Sequence, residues 1–214
     1  MHMDIETVDT DGAIRETAAA AAGDTRAGFL AKAGLLGGGI IGSAALIDPS
    51  IAGAATKKSD IAILNYALTL EYLEAEFYAK AAESGMLKGK ILELAKGFGD
   101  EEQEHVDALI AMVKKAGGKP ADKPMAKVPL DSEMAILKLA ATVENLGAAA
   151  YLGAAGMIES PEILAAALSI HSVEARHAAA LNKKLGLNIT PDGAFAKPAT
   201  KDQVLAAVKP FLVA

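Results

Sequence analysis

The sequence predicts an all-α protein: a four-helix bundle with one long crossover, plus an N-terminal signal-like extension and a short C-terminal helix. Three observations lead there. Four long stretches repeat apolar residues at helical spacing, and no stretch of any length alternates as a strand would. The first and last connections between these stretches are tight, whereas the middle one is long and holds Pro120, Pro124 and Pro129. The second and fourth stretches each carry Glu-x-x-His, as Glu102 with His105 and Glu174 with His177. Residues three apart on a helix share a face, so each pair can point at one centre.

Composition narrows the chemistry. Apolar residues make up 52% of the 214 while aromatics make up only 4%, which favours helices packed closely through small side chains. The net charge of −6, without a basic cluster, argues against nucleic acid as a partner. The chain has no Cys, so disulfides, thiolate metal sites, iron–sulfur clusters and cysteine nucleophiles are excluded. A metal site must then use Asp, Glu and His, and the histidines are His2, His105, His171 and His177.

Residues 1–54 read as an extension. A polar, Ala-rich start leads to Thr25-Arg26-Ala27-Gly28-Phe29-Leu30-Ala31-Lys32 and then to an apolar, Gly-rich run over 33–47. That run is shorter than the roughly 20 residues a spanning helix needs. Ala52-Gly53-Ala54 has the small-x-small form of a signal-peptidase site. The segment resembles a twin-arginine export signal, with Ala27 where the second arginine would stand. An extracytoplasmic or membrane-tethered location is the expectation. A flexible apolar extension on a cytoplasmic protein is the alternative.

The bundle is expected over residues 59–186. Ser59-Asp60 can cap a first helix from 60 to about 84, which Gly85 ends. The second runs from about 88 to 116 and stops at Gly117-Gly118. Residues 119–130 are long enough to cross the bundle's length. The third helix runs from about 132 to 158. The fourth opens at Ser160-Pro161, an N-cap with Pro in the first turn, and ends near Gly186. The tail, 187–214, holds Thr200-Lys201-Asp202-Gln203, a capping-box pattern for a short helix to about 209. Pro191, Gly193 and Pro198 suggest an irregular strap lying on the bundle. One long crossover between two tight hairpins is the ferritin-like arrangement.

An internal repeat sharpens the site. Glu71 is followed by Tyr78 seven residues on, and Glu144 by Tyr151 at the same interval. Glu102 lies 31 residues after Glu71, and Glu174 lies 30 after Glu144. A pseudo-two-fold bundle would gather these motifs at its middle. Buried carboxylates are costly unless paired or metal-bound, but four of them balance two divalent ions. Two Glu would bridge both ions and each His would hold one. Oxygen and imidazole donors suit iron or manganese, and two such ions about 3.5–4 Å apart can act together on dioxygen or peroxide.

Leu64-Asn65-Tyr66-Ala67-Leu68-Thr69-Leu70-Glu71-Tyr72-Leu73-Glu74 and Ser172-Val173-Glu174-Ala175-Arg176-His177 resemble the bacterial ferritin-like-domain family that includes desiccation-related proteins. The likeness covers about 59–186, and Thr190-Pro191-Asp192-Gly193 extends it. Resemblance to di-iron ferritins and rubrerythrins implies Glu71, Glu102, His105, Glu144, Glu174 and His177 as ligands of two Fe or two Mn ions. Tyr78 and Tyr151 then match tyrosines that line such sites. The lack of Cys departs from a rubredoxin-type iron domain, and the short, Pro-bounded tail helix departs from a ferritin storage cage.

Helical Glu is more often solvated than ligating. Glu74, Glu76, Glu101 and Glu104 are read as surface residues, although Glu74 and Glu101 lie close enough in angle to compete for the ligand role. Glu71 is preferred over Glu74 because only Glu71 reproduces the seven-residue spacing to Tyr. His171, six before His177, is expected beside the ligands or as a core histidine with its own partner. Two functions follow. One is a dinuclear-metal oxidoreductase of ferroxidase, peroxidase or catalase type. The other is a non-enzymatic stress- or desiccation-related bundle that a metal only staples. The expected partners are metal ions and dioxygen or peroxide, and the segment 1–54 and the bundle leave room for membrane association and a homo-oligomer.

Overall fold

A computed structural model describes residues 58–212. The export-like segment expected over residues 1–54 lies outside them. Among the described residues the chain is helical: α1 (Lys58–Glu83), α2 (Gly89–Lys115), α3 (Glu133–Ala155), α4 (Pro161–Lys184) and the short α5 (Lys201–Val208), followed by a 3-10 turn at Lys209–Phe211. No described helix is long and apolar enough to cross a membrane. α1 packs chiefly against α2, and α3 chiefly against α4, so the bundle consists of two hairpins joined by the crossover.

Local chemistry explains most boundaries. Ser132 and Ser160 accept from the backbone N–H groups of Ala135 and Ile163, capping α3 and α4. Gly85, Gly117 and Gly186 follow α1, α2 and α4 with positive φ, the left-handed conformation that stops a helix at little cost for glycine. α3 ends at Gly156, shortly before the expected 158. α5 carries the full capping box between Thr200 and Gln203, and Pro210 lies in the tighter turn that replaces its expected last residue.

Asp60 departs from expectation. It lies inside α1 and is wholly buried, so it does not cap its own helix. Its carboxylate accepts instead from the backbone N–H groups of Glu159 at 3.0 Å and Ser160 at 2.8 Å. An N-terminal side chain thereby ties the start of α1 to the turn that opens α4.

The crossover lies along α1. Asn65 accepts from the Ala121 N–H at 2.7 Å and donates to the Lys119 carbonyl at 3.1 Å. Fifteen residues further along α1, Lys80 donates to the Ala126 carbonyl at 2.9 Å. Those anchors stand about 22 Å apart at the helical rise. The tail returns over the same region: Lys127 N–H donates to the Phe211 carbonyl, and Ala126 bridges Leu212. At Gly153 the tail meets α3 so closely that a Cβ would stand 2.0 Å from the Ala199 carbonyl oxygen.

The interior is layered. One apolar block contains Leu64, Leu68, Val106, Leu109, Ile163 and Ile170. The other contains Phe77, Ala81, Ala95, Ile136, Leu137 and Leu181. Along every long helix, the residues between these blocks are the Glu and His of the sequence motifs. The apolar blocks fix the helices, and the four motif carboxylates of the layer between them are wholly buried.

Candidate metal centre

Four carboxylates, Glu71, Glu102, Glu144 and Glu174, are wholly buried in that layer, and His177 is 3% exposed. His105 is half-buried. Each comes from the inward face of its helix, where one turn separates Glu102 from His105 on α2 and Glu174 from His177 on α4. The structure brings all six together in two overlapping groups whose donor atoms lie within 4.8 Å of one another. One is Glu71, Glu102, His105 and Glu174; the other is Glu102, Glu144, Glu174 and His177. Glu102 and Glu174 belong to both. Either group could hold a metal ion.

Glu102 sits between the imidazoles. Its Oε2 is 2.8 Å from His105 Nδ1 and its Oε1 is 2.9 Å from His177 Nδ1. His105 Nδ1 also faces Glu71 Oε2 at 3.2 Å and Glu174 Oε1 at 3.3 Å. On the other side, His177 Nδ1 faces Glu144 Oε2 at 3.3 Å. The tyrosines hold the outer carboxylates crosswise. Tyr78 of α1 donates to Glu144 Oε1 of α3, and Tyr151 of α3 donates to Glu71 Oε1 of α1, each at 2.5 Å. Burial and the neighbouring carboxylates raise both phenols well above their usual range, so they remain donors.

Charge is heavily rearranged. Burial pushes Glu71 up to about 7, against the pull of His105. Burial likewise raises Glu144, and it raises Glu174 further with the help of the Glu71 charge. Glu102 goes the other way, to about 2, because the two imidazoles outweigh its burial. Burial disfavours the imidazolium forms too, yet the surrounding carboxylates lift His105 to about 12 and His177 to about 11. Protons on the imidazoles therefore occupy the place that a cation would take.

The residues fit a metal centre on their own geometry. Glu102 Oε1, Glu144 Oε2, both Glu174 oxygens and His177 Nδ1 are buried without an aligned hydrogen-bond partner. Buried polar atoms in native folds are rarely left so, and these face one shared space. All are oxygen or imidazole donors, the set that iron and manganese accept.

Of the two readings for His171, the structure favours the core histidine with its own partner: it belongs to neither group, and its Nδ1 faces the Ala148 carbonyl of α3 at 3.0 Å. Two glutamates do more than the sequence reading gave them. Glu101, read as a surface residue, is half-exposed but places Oε2 2.5 Å from His177 Nε2, behind the face that meets Glu102 and Glu144. Glu74, also read as surface, is 2% exposed. It follows Glu71 by three residues and so shares its face. Val204 and Val208 of α5 pack with the flanking Leu70 and Leu73, closing the side that would otherwise meet solvent. Burial and the Glu174 charge raise it well above the usual carboxylate range. Gly147, which leaves room for it, was the available signal.

Comparison with known proteins agrees with this architecture. A family model described as a ferritin-like domain matches residues 59–187. No curated protein matches the chain. The matched span takes in all four long helices and every residue of the buried cluster, so the chain belongs to the ferritin-like domain family.

Proposed function

We propose that the chain binds two iron or manganese ions and uses them as an oxidoreductase toward dioxygen or peroxide, in ferroxidase, peroxidase or catalase-type chemistry. The observation that carries this reading is the overlap of the two groups: Glu102 and Glu174 belong to both and would serve both ions. Glu71 with His105 and Glu144 with His177 would then complete one ion each. Four carboxylates offset the charge of two divalent ions, which is what a water-poor layer requires. When bound, such a pair would supply electrons to dioxygen or peroxide.

The protein's own residues fix and screen that site. Tyr78 and Tyr151 each occupy one oxygen of an outer carboxylate and leave the other facing inward. Phe98 stacks on His177 at 3.8 Å between ring centroids, which restrains the imidazole. An apolar cavity lined by Leu64, Ala67, Leu109, Ile163 and Ala167 reaches Tyr151, and a small apolar oxidant could approach along it.

Elemental mass spectrometry of the purified protein tests the reading, alongside Glu174→Ala and His105→Ala. About two iron or manganese ions per chain are expected, with loss in both variants. Steady Fe(II) oxidation or peroxide consumption should disappear with the metal. A wild-type protein that cannot be loaded with Fe(II) or Mn(II) would leave the non-enzymatic bundle as the better description.

A further inference from the structure

Glu74 breaks the two-fold relation of the layer. A step of 73 residues carries Glu71 onto Glu144 and Tyr78 onto Tyr151, but it carries Glu74 onto Gly147. The substitution has a spatial meaning. A Cβ on Gly147 would stand 2.8 Å from Glu174 Oε2 and 3.0 Å from Glu74 Oε1. The carboxylates from α1 and α4 thus converge on the space that an α3 side chain would fill. One half of the bundle supplies an additional acidic group, and the other half vacates room for it.

Glu74 is not satisfied there. Its Oε2 is buried without a hydrogen-bond partner, and so are both oxygens of Glu174. The ion pairs described within this layer join His105 and His177 to other carboxylates and leave Glu74 out. A buried carboxylate that meets only other carboxylates is destabilising unless a cation compensates it. Surface packing cannot explain its position, since solvent does not reach it.

We propose that Glu74 is a fifth metal-ligating carboxylate, entering beside Glu174 through the space that Gly147 leaves open. The proposal rests on the dinuclear reading above and deepens it. Both four-residue groups are complete without Glu74; its Oε1 meets the space over Gly147 that Glu174 Oε2 also faces, so it would join the site from beside Glu174. Four carboxylates already balance two divalent ions. A fifth gives the site one more negative charge, which favours ions of higher charge and makes the two positions unequal.

Mn(II) binding by the full chain tests this, with competition against a chelator and electron paramagnetic resonance of the bound ions as readouts. Glu74→Gln keeps the shape and removes the charge. It should weaken at least one of two Mn(II) binding steps tenfold or more, since even groups behind the ligands are worth about 10–100-fold in affinity. Its metal-free form should melt close to wild type, because Gln keeps the size and shape of the buried side chain and adds no charge. Gly147→Ala, which places a methyl against Glu74 and Glu174, should also weaken binding.

Unchanged Mn(II) affinity and spectra in Glu74→Gln would overturn the inference. A lower melting temperature of that metal-free variant with unchanged affinity would do the same, and would mark Glu74 as a structural acid. Wild-type protein that binds no Mn(II) or Fe(II) would defeat the dinuclear reading itself, which separates the two failures.

Discussion

Tyr78 donates its hydroxyl to Glu144 Oε1 at 2.5 Å, although the two residues lie on different hairpins. Tyr151 returns the contact to Glu71 Oε1 at the same distance. Each half of the bundle therefore orients a carboxylate of the other half. Tyr78→Phe and Tyr151→Phe should each leave a buried carboxylate oxygen without its donor, at a cost of about 1–3 kcal/mol. Metal affinity should fall about 10–100-fold, the range for groups that orient ligands from behind. Chelator competition and thermal melting measure both effects. Phe variants that bind metal as tightly as wild type would remove the tyrosines from any supporting role.

The charge balance predicts how the metal-free protein responds to pH. His105 and His177 are lifted to about 12 and about 11, from 6.5 for the free side chain. Folding then retains protons that the unfolded chain releases, so their contribution is full below about pH 6.5 and is lost as pH rises through the folded values. Glu71, raised to about 7 from 4.5, acts in the same direction between those two values. Glu102, lowered to about 2, loses its contribution only as pH falls below about 4.5. The metal-free protein should therefore melt at progressively lower temperature from pH 5.5 to pH 9. Metal needs the imidazoles deprotonated, so uptake at pH 7 should release at least two protons per chain. Titration in weakly buffered Mn(II) measures that release, and a melting temperature that rises with pH without metal would contradict the charge assignment.

The periodic part of the fold was legible because it is local. Glu-x-x-His on α2 and α4 forces both side chains onto one face, and the matched intervals align the two hairpins; all six residues read this way do stand in the two groups. The topology was legible for a similar reason, since the Pro-rich crossover is too long for a hairpin and runs along α1 from Asn65 to Lys80. Glu74 was misread because its burial depends on Val204 and Val208, 130 or more residues away. Asp60 was misread because its partners are backbone N–H groups about 100 residues downstream. Local rules made it a cap for its own helix. Glu101 was hidden by its neighbour: the more buried Glu102 takes the inward position, and the adjacent side chain still reaches the outer nitrogen of His177.

Glu101 offers a test of orientation separate from stability. Its carboxylate is half-exposed, so solvent screens its contribution to folding. It does hold His177 Nε2, which fixes the ring with Nδ1 toward Glu102 and Glu144. Glu101→Ala should leave melting almost unchanged while weakening one of the two metal-binding steps about tenfold. The step assigned to Glu71 and His105 should be spared. Equal weakening of both steps, or of neither, would argue against this division of labour.

Asp60 gives the opposite separation, in which stability changes and the site does not. It is wholly buried and satisfies two backbone N–H groups at the opening of α4. Asp60→Ala removes the acceptor that both N–H groups use, for a loss of about 2–4 kcal/mol. For a domain of this length that corresponds to about 5–15 °C in melting temperature. Asp60 lies three turns before Glu71 on α1, about 16 Å along the axis. Metal stoichiometry and the affinity of the folded fraction should therefore stay close to wild type. Asp60→Asn retains one side-chain oxygen and should recover part of the loss. If Asp60→Ala instead abolished metal binding while the fold melted normally, the polar layer would depend on the end of the bundle in a way that its flanking apolar blocks do not suggest.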